Sequence, residues 1–227
     1  VYSKGLSTIE SADSALNTQN SNSVKLDIAS DQVFLGKADA PITIFEFGDY
    51  QCPYCKRFHM LAHLDLVKDY VDSGLAKIVF MDFPLPGHDF AQKASEAAWC
   101  AKDQNKFWEM HDVLFENSGT TNGLTIDNMI KYVGDLGMDK QMFEECLNSS
   151  KYAARVQQIL EVSARLGIQA TPTTIITNKP LPLVIDTKAV AAAYQGTSGT
   201  ANLGDSFLII GAQPYSTIKS VIDSLVK

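Results

Sequence analysis

Cys52-Pro53-Tyr54-Cys55 is the segment of this 227-residue chain whose residue types and spacing point most directly to chemistry. Two thiols separated by two residues can close a disulfide on each other and exchange it with another molecule. The pair stands between an apolar run and a helical pattern, and Pro53 suits a first helical position, where its missing N–H costs nothing. A helix start aims free N–H groups and the positive end of the dipole at Cys52. The thiolate is thereby favoured, with a pKa expected at roughly 3.5–7.5 against about 8.5 for a free cysteine. A stable thiolate leaves easily, so a Cys52–Cys55 disulfide would be oxidising. Cys55, one turn inside, would be the shielded resolving thiol. The other reading of such a pair is half a zinc site. Zinc needs four ligands, and there is no second C-x-x-C. His59 and His63 follow on the same predicted helix, which as a straight rod cannot wrap them around a metal held by the cysteines. A redox dithiol is therefore expected, with no metal and no cofactor.

Three further features bear on the chemistry. Glu46 interrupts an apolar strand six residues before Cys52. If buried, its carboxyl should be raised in pKa and could move a proton for Cys55; on an edge strand it would point to solvent. Ala170-Thr171-Pro172-Thr173-Thr174 leads into a strand, where an X-Pro bond is a plausible cis site. Cys100 and Cys146 stand alone in a helical region, as either a structural disulfide or two buried thiols. His88 follows a proline-rich turn and reads as structural. His59, His63 and His111 read as ordinary amphipathic positions.

The elements that must place these residues follow from hydrophobic patterning. Residues 1–32 are rich in Ser, Asn and Asp and read as a flexible arm, with a possible short helix at Ile9–Leu16. Order is expected from near Val33. Ile42–Phe47 reads as a buried strand, and Met60, Leu64, Val67 and Val71 recur at helical spacing. Lys77–Phe83 is the next strand, completing a βαβ unit. Residues 88–166 then carry helical patterns only. Strand character returns at Thr173–Thr177 and Ser206–Ile210. The segment between them is too long for a hairpin loop and reads as an insertion at about 178–205. An amphipathic helix with Ile218, Val221, Ile222 and Leu225 closes the chain. Residues 33–87 and 167–227 would thus be two parts of one unit interrupted by an all-helical one.

Composition narrows the function classes. The net charge of −7 supplies no excess of cations to neutralise phosphates, so no nucleic-acid partner is expected. No apolar run reaches the roughly 18 residues of a membrane span. The sequence begins with Val and shows no signal peptide, which fits a trimmed form.

Phe45-Glu46-Phe47-Gly48-Asp49-Tyr50-Gln51-Cys52-Pro53-Tyr54-Cys55, Phe83-Pro84-Leu85-Pro86-Gly87-His88, Ala170-Thr171-Pro172-Thr173 and Gly211-Ala212-Gln213-Pro214 together resemble the bacterial periplasmic disulfide oxidase family, DsbA. The resemblance covers residues 33–227 apart from the insertion. It implies an α/β thioredoxin fold interrupted by a helical domain, and a cis Pro172 facing the disulfide. Glu46 matches the family's buried acid. Thr171 and Pro172, with Pro53 and Tyr54, would bind an extended substrate chain. The implied partners are reduced, unfolded exported proteins and an integral membrane quinone reductase that reoxidises the dithiol. The implied location is the periplasm, with the N-terminal arm as a possible membrane tether. An oxidising compartment would favour a Cys100–Cys146 bond. Tyr54 stands where well-known members carry His, which implies a weaker oxidant. The insertion is outside the family pattern. Two rival functions stay open: an isomerase or reductase of the same fold, and a non-catalytic binding protein or chaperone.

Overall fold

The computed structural model describes residues 22–196 and 199–226. Strand β1 (Ser23–Leu26) and the short β2 (Leu35–Gly36) precede β3 (Ile42–Gly48). β3 leads into α1 (Pro53–Phe58). The helix continues through a π-helical turn at His59–His63, α2 (Leu64–Leu66) and a second π turn at Val67–Val71. After β4 (Ala76–Asp82) come α3 (Ala91–Lys102), α4 (Phe107–Asn117), α5 (Ile126–Asp135), α6 (Lys140–Asn148) and α7 (Ala153–Leu166). Then follow β5 (Thr173–Thr177), β6 (Leu183–Asp186), α8 (Thr187–Gln195), β7 (Thr200–Asn202), β8 (Phe207–Ile210) and α9 (Tyr215–Leu225).

The main sheet has the order β2-β4-β3-β5-β8-β7. β3 and β4 are parallel across the helical crossover, while β5 pairs antiparallel with β3 and β8 antiparallel with β5. The helices α3–α7 enter between β4 and β5. This is an α/β thioredoxin fold interrupted by a helical insertion. β3 lies in the middle of the sheet and every one of its residues is buried. That position explains why apolar residues fall on both of its faces, since a strand covered on both faces has no solvent side. Alternation along β3 sends Ile42 and Ile44 into a core under α1 and α9, shared with Phe58, Ala62, Leu66 and Ile218. Phe45 and Phe47 enter the second core, shared with Trp99, Leu114 and Phe143 of the helical insertion. Glu46 therefore falls on the Ile42 and Ile44 face.

Three expectations are corrected. The arm does not extend to residue 32, because β1 pairs antiparallel with β6 and Leu26 is fully buried. The strand was missed because Ser-Val-Lys-Leu is too short to register as alternation, and its partner lies in the distant insertion. Residues 1–21, with the Ile9–Leu16 helix and any tether, lie outside the described residues. The second correction concerns the helix after Cys55. Met60, Leu61 and Leu64 are exposed, whereas Phe58, Ala62, Leu66 and Tyr70 are buried. Buried positions recur every fourth residue because the π turns bond i to i+5 and rotate the helix more slowly than 3.6 residues per turn. Third, His59, His63 and His111 are not amphipathic surface positions but buried ones.

The insertion acquires structure of its own. Asp186 caps α8 by accepting from the Lys188 and Ala189 N–H groups, at 2.8 and 3.4 Å. β7 forms one edge of the main sheet. Tyr194 reaches Thr173 with a hydroxyl contact of 2.8 Å, so the insertion braces the strand that follows Pro172. Cys100 of α3 is bonded to Cys146 of α6, with a Cα separation of 5.8 Å. Among the described residues no helix is long and apolar enough to cross a membrane.

Two outcomes follow from this packing. Leu26→Ala should lower unfolding stability by about 2–5 kcal/mol, since it empties a buried site, whereas exposed Lys25→Ala should leave the denaturant midpoint nearly unchanged. Replacing both Cys100 and Cys146 by Ala should cost about 2–4 kcal/mol when both proteins are unfolded with the Cys52–Cys55 pair held oxidised.

Candidate active site

The end of β3 and the start of α1 place the dithiol. Gly48 closes the strand against Phe80, and a Cβ there would lie 2.6 Å from that ring. A larger residue would push the strand end away from β4 just before the cysteines. Cys52 is the N-cap of α1 with an extended backbone, and Pro53 occupies the first turn. The Cys52 carbonyl accepts from the Lys56 N–H at 3.0 Å. Across the site, the Thr171–Pro172 bond is cis, and the Cys52 thiol lies 3.6 Å from the Thr171 carbonyl. Only 3% of Cys52 and none of Cys55 is exposed, while Pro53 and Tyr54 are open to solvent. Of the two cysteines, only Cys52 keeps any exposed surface.

The two thiols are electrostatically unequal. The Cys55 side chain hydrogen bonds to Cys52 and does most to hold its thiolate. Thr171 and the N–H groups of Cys55 and Tyr54 add to it, and together they outweigh burial and bring the Cys52 pKa down to about 5. Cys55 moves the opposite way. Burial raises its pKa well above the ordinary thiol value, and the neighbouring Cys52 raises it further. One sulfur is thus an anion at neutral pH and the other holds its proton.

Asp49, fully buried, secures the turn before Cys52. One carboxylate oxygen accepts from the Gln51 N–H at 2.7 Å. The other accepts from the Leu85 N–H at 2.8 Å and from His88 Nδ1 at 2.6 Å. The Asp49 N–H points to the Cys55 sulfur at 3.5 Å. His88 is therefore a buttress for the Asp49 turn. Lys56 fastens α1 to the end of α4 by donating to the carbonyls of Glu116, at 2.9 Å, and Ser118.

Glu46 is 1% exposed and lies in a central strand, which rules out the solvent-facing alternative. Its Oε2 accepts from His63 Nδ1 at 2.9 Å, and its Oε1 has no hydrogen-bond partner. His63 stacks on His59 at 4.8 Å, and both face His111 of α4. His111 Nδ1 lies 2.9 Å from the Tyr50 hydroxyl. The structure thus brings Cys52, Cys55, Pro53, Tyr54, Thr171 and Pro172 together, sets Glu46 beneath the face of the sheet that α1 covers, and puts Cys100 and Cys146 apart in the helical insertion. Reading the sequence missed Asp49, Lys56 and the Glu46–His63 pair. Asp49 offered a signal, as the acid that breaks the strand before Cys52. His63 offered none, because its approach to Glu46 depends on the π turn.

Comparison with known proteins gives a consistent assignment. Residues 29–192 match the thioredoxin family. The chain is 34% identical over 155 residues to disulfide bond formation protein D of Bacillus subtilis, across 65% of this chain and 68% of that one. The structure of BdbD from Bacillus subtilis superposes with a TM-score of 0.65 at 28% identity, covering 86% of this chain and 92% of that one. Wolbachia pipientis alpha-DsbA1 shares the fold with a TM-score of 0.69 at 20% identity, covering 87% and 92%. The chain also matches a part of longer proteins: it is 30% identical to Na(+)/H(+) antiporter NhaA 3 of Salinispora tropica over 74% of its own length and 25% of the antiporter's. The chain belongs to the thioredoxin superfamily, among its DsbA-like thiol–disulfide oxidoreductases.

Proposed function

We propose that the chain introduces disulfide bonds into reduced, unfolded exported proteins, with the Cys52–Cys55 disulfide as oxidant. The observation that carries this direction is the split between the thiols, with Cys52 at about 5 and Cys55 raised. A substrate thiolate attacks the Cys52 sulfur, forming a mixed disulfide, and Cys55 leaves with the electron pair and takes a proton. A second substrate thiolate then attacks the substrate sulfur of the mixed disulfide. The substrate gains its disulfide, Cys52 leaves as the thiolate, and two electrons rest on the enzyme dithiol. Because Cys55 holds its proton, it is a poor nucleophile for reversing the first step.

Thr171 and Pro172 would offer backbone to an extended substrate segment, with exposed Pro53 and Tyr54 at the rim. Tyr54, Met60, Leu61 and Leu64 expose apolar surface on the same helix, which suits an unfolded chain. A groove of about 500 Å³ lined by Arg57, Phe58, Leu61, Pro214 and Tyr215 continues that surface. Glu46, paired with His63, would exchange the proton taken up by Cys55. The Cys100–Cys146 bond supports work in an oxidising compartment such as the periplasm. Reoxidation would fall to an integral membrane quinone reductase.

The thiolate absorbance of Cys52 should titrate with a midpoint near 5. The lowered pKa stabilises the folded reduced protein at pH above the unfolded thiol value of about 8.5, and that stabilisation is lost as pH falls through about 5. The oxidised form has no such thiol. Its stability advantage over the reduced form should therefore grow, or the reverse advantage shrink, as pH is lowered from about 8 to about 5; parallel curves for the two forms would contradict the assignment.

Cys52→Ser should abolish peptide oxidation, and Cys55→Ser mixed with a peptide disulfide should accumulate a Cys52 mixed disulfide, because the Cys52 thiolate displaces one peptide thiolate and no Cys55 is present to resolve the bond. Equilibration with glutathione should find the Cys52–Cys55 couple oxidising. A reducing potential, or efficient rescue of a scrambled substrate, would transfer the site to the reductase or isomerase reading. Retained function in Cys52→Ser would point to a non-catalytic binding protein.

A further inference from the structure

We propose that His59, His63, His111 and Asp112 form a binding site for one divalent transition-metal ion of the zinc class, at the junction between the redox helix and α4. The sequence leads to no such expectation, because His59 and His63 are separated from His111 by most of the βαβ unit and by α3. Folding brings one donor atom from each of the four residues to within 4.8 Å of the others. Three imidazoles and one carboxylate are a donor set suited to zinc and its neighbours.

The surroundings are those of a site rather than of ordinary packing. His59, His63 and His111 are each at most 1% exposed. His111 Nε2 and His59 Nδ1 are buried with no hydrogen-bond partner, a placement that leaves buried polar atoms unsatisfied. Two of the rings are oriented from behind. His63 Nδ1 donates to Glu46 Oε2 at 2.9 Å, and His111 Nδ1 contacts the Tyr50 hydroxyl at 2.9 Å. Both interactions leave Nε2 as the ligating atom, and a carboxylate behind a ligating histidine is the usual orienting partner. Phe80, Trp108 and Phe115 close an aromatic wall around His111. Asp112 lies 3.6 Å from His59 Nε2 with its side chain 46% exposed, which gives an ion a way in from solvent. Tetrahedral bonds of about 2.1 Å hold donors about 3.4 Å apart, so the most widely spaced donors, within 4.8 Å of one another, would close by up to about 1.4 Å around the ion.

The oxidised protein tests this without interference, because its Cys52–Cys55 disulfide offers no thiolate to a metal. Calorimetric titration of the full oxidised chain with zinc chloride should show one equivalent bound, with a raised unfolding temperature. Cobalt(II) should give the visible bands of a tetrahedral nitrogen and oxygen site without a sulfur charge-transfer band. Asp112→Ala, at a half-exposed position, should weaken zinc binding by more than about tenfold, and His111→Phe should do the same. Absence of binding at millimolar zinc would overturn the proposal. So would an unchanged affinity in folded Asp112→Ala, which would place the ion elsewhere on the surface. Neither result would touch the thiol chemistry, whose readout is peptide oxidation by Cys52.

Discussion

The hydrogen bonding around the Cys52 sulfur is the interaction on which the rest of the molecule depends. A thiolate near pKa 5 exists only because Cys55, Thr171 and two amides of the first turn converge on one atom that is itself largely buried. Burial alone would work in the opposite direction and keep the proton on sulfur, as it does at Cys55. The balance is set over a few ångströms by which sulfur sits at the helix end and which sits one turn inside. Reactivity, leaving-group quality and the oxidising direction all descend from that asymmetry.

Holding that arrangement requires parts distant in sequence. Thr171 arrives from the loop after α7, on the far side of the helical insertion, and Tyr194 of the second insertion braces the strand just beyond it. Asp49 ties the turn before Cys52 to the segment after β4 through Leu85 and His88. Lys56 ties α1 to the last carbonyls of α4. The helical insertion is therefore a structural wall of the active site as well as a neighbour of it. The Cys100–Cys146 bond stiffens that wall from within.

The π turns give the redox helix an unusual division of labour. By slowing the rotation of the helix they keep Phe58, Ala62, Leu66 and Tyr70 in line beneath it. The same turns bury His59 and His63 toward Glu46 and His111, and they leave Met60, Leu61 and Leu64 facing outward. An apolar outer surface and a polar buried seam thus lie on opposite sides of one short helix.

The C-x-x-C at a strand-to-helix boundary, the strand Ile42–Phe47, the helical run between β4 and β5 and the closing helix were legible in the chain, because each is a local pattern of thiols, apolar period or breakers. Glu46 was visible as an acid in an apolar strand, but whether it faced water depended on strand order, which no local pattern contains. β1 was hidden for the same reason: four residues acquire meaning only when β6 lies beside them. The His59, His63 and His111 cluster and the Glu46–His63 pair belong wholly to tertiary structure. Their contacts cross from one element to another, and which faces meet is decided by packing and not announced by composition.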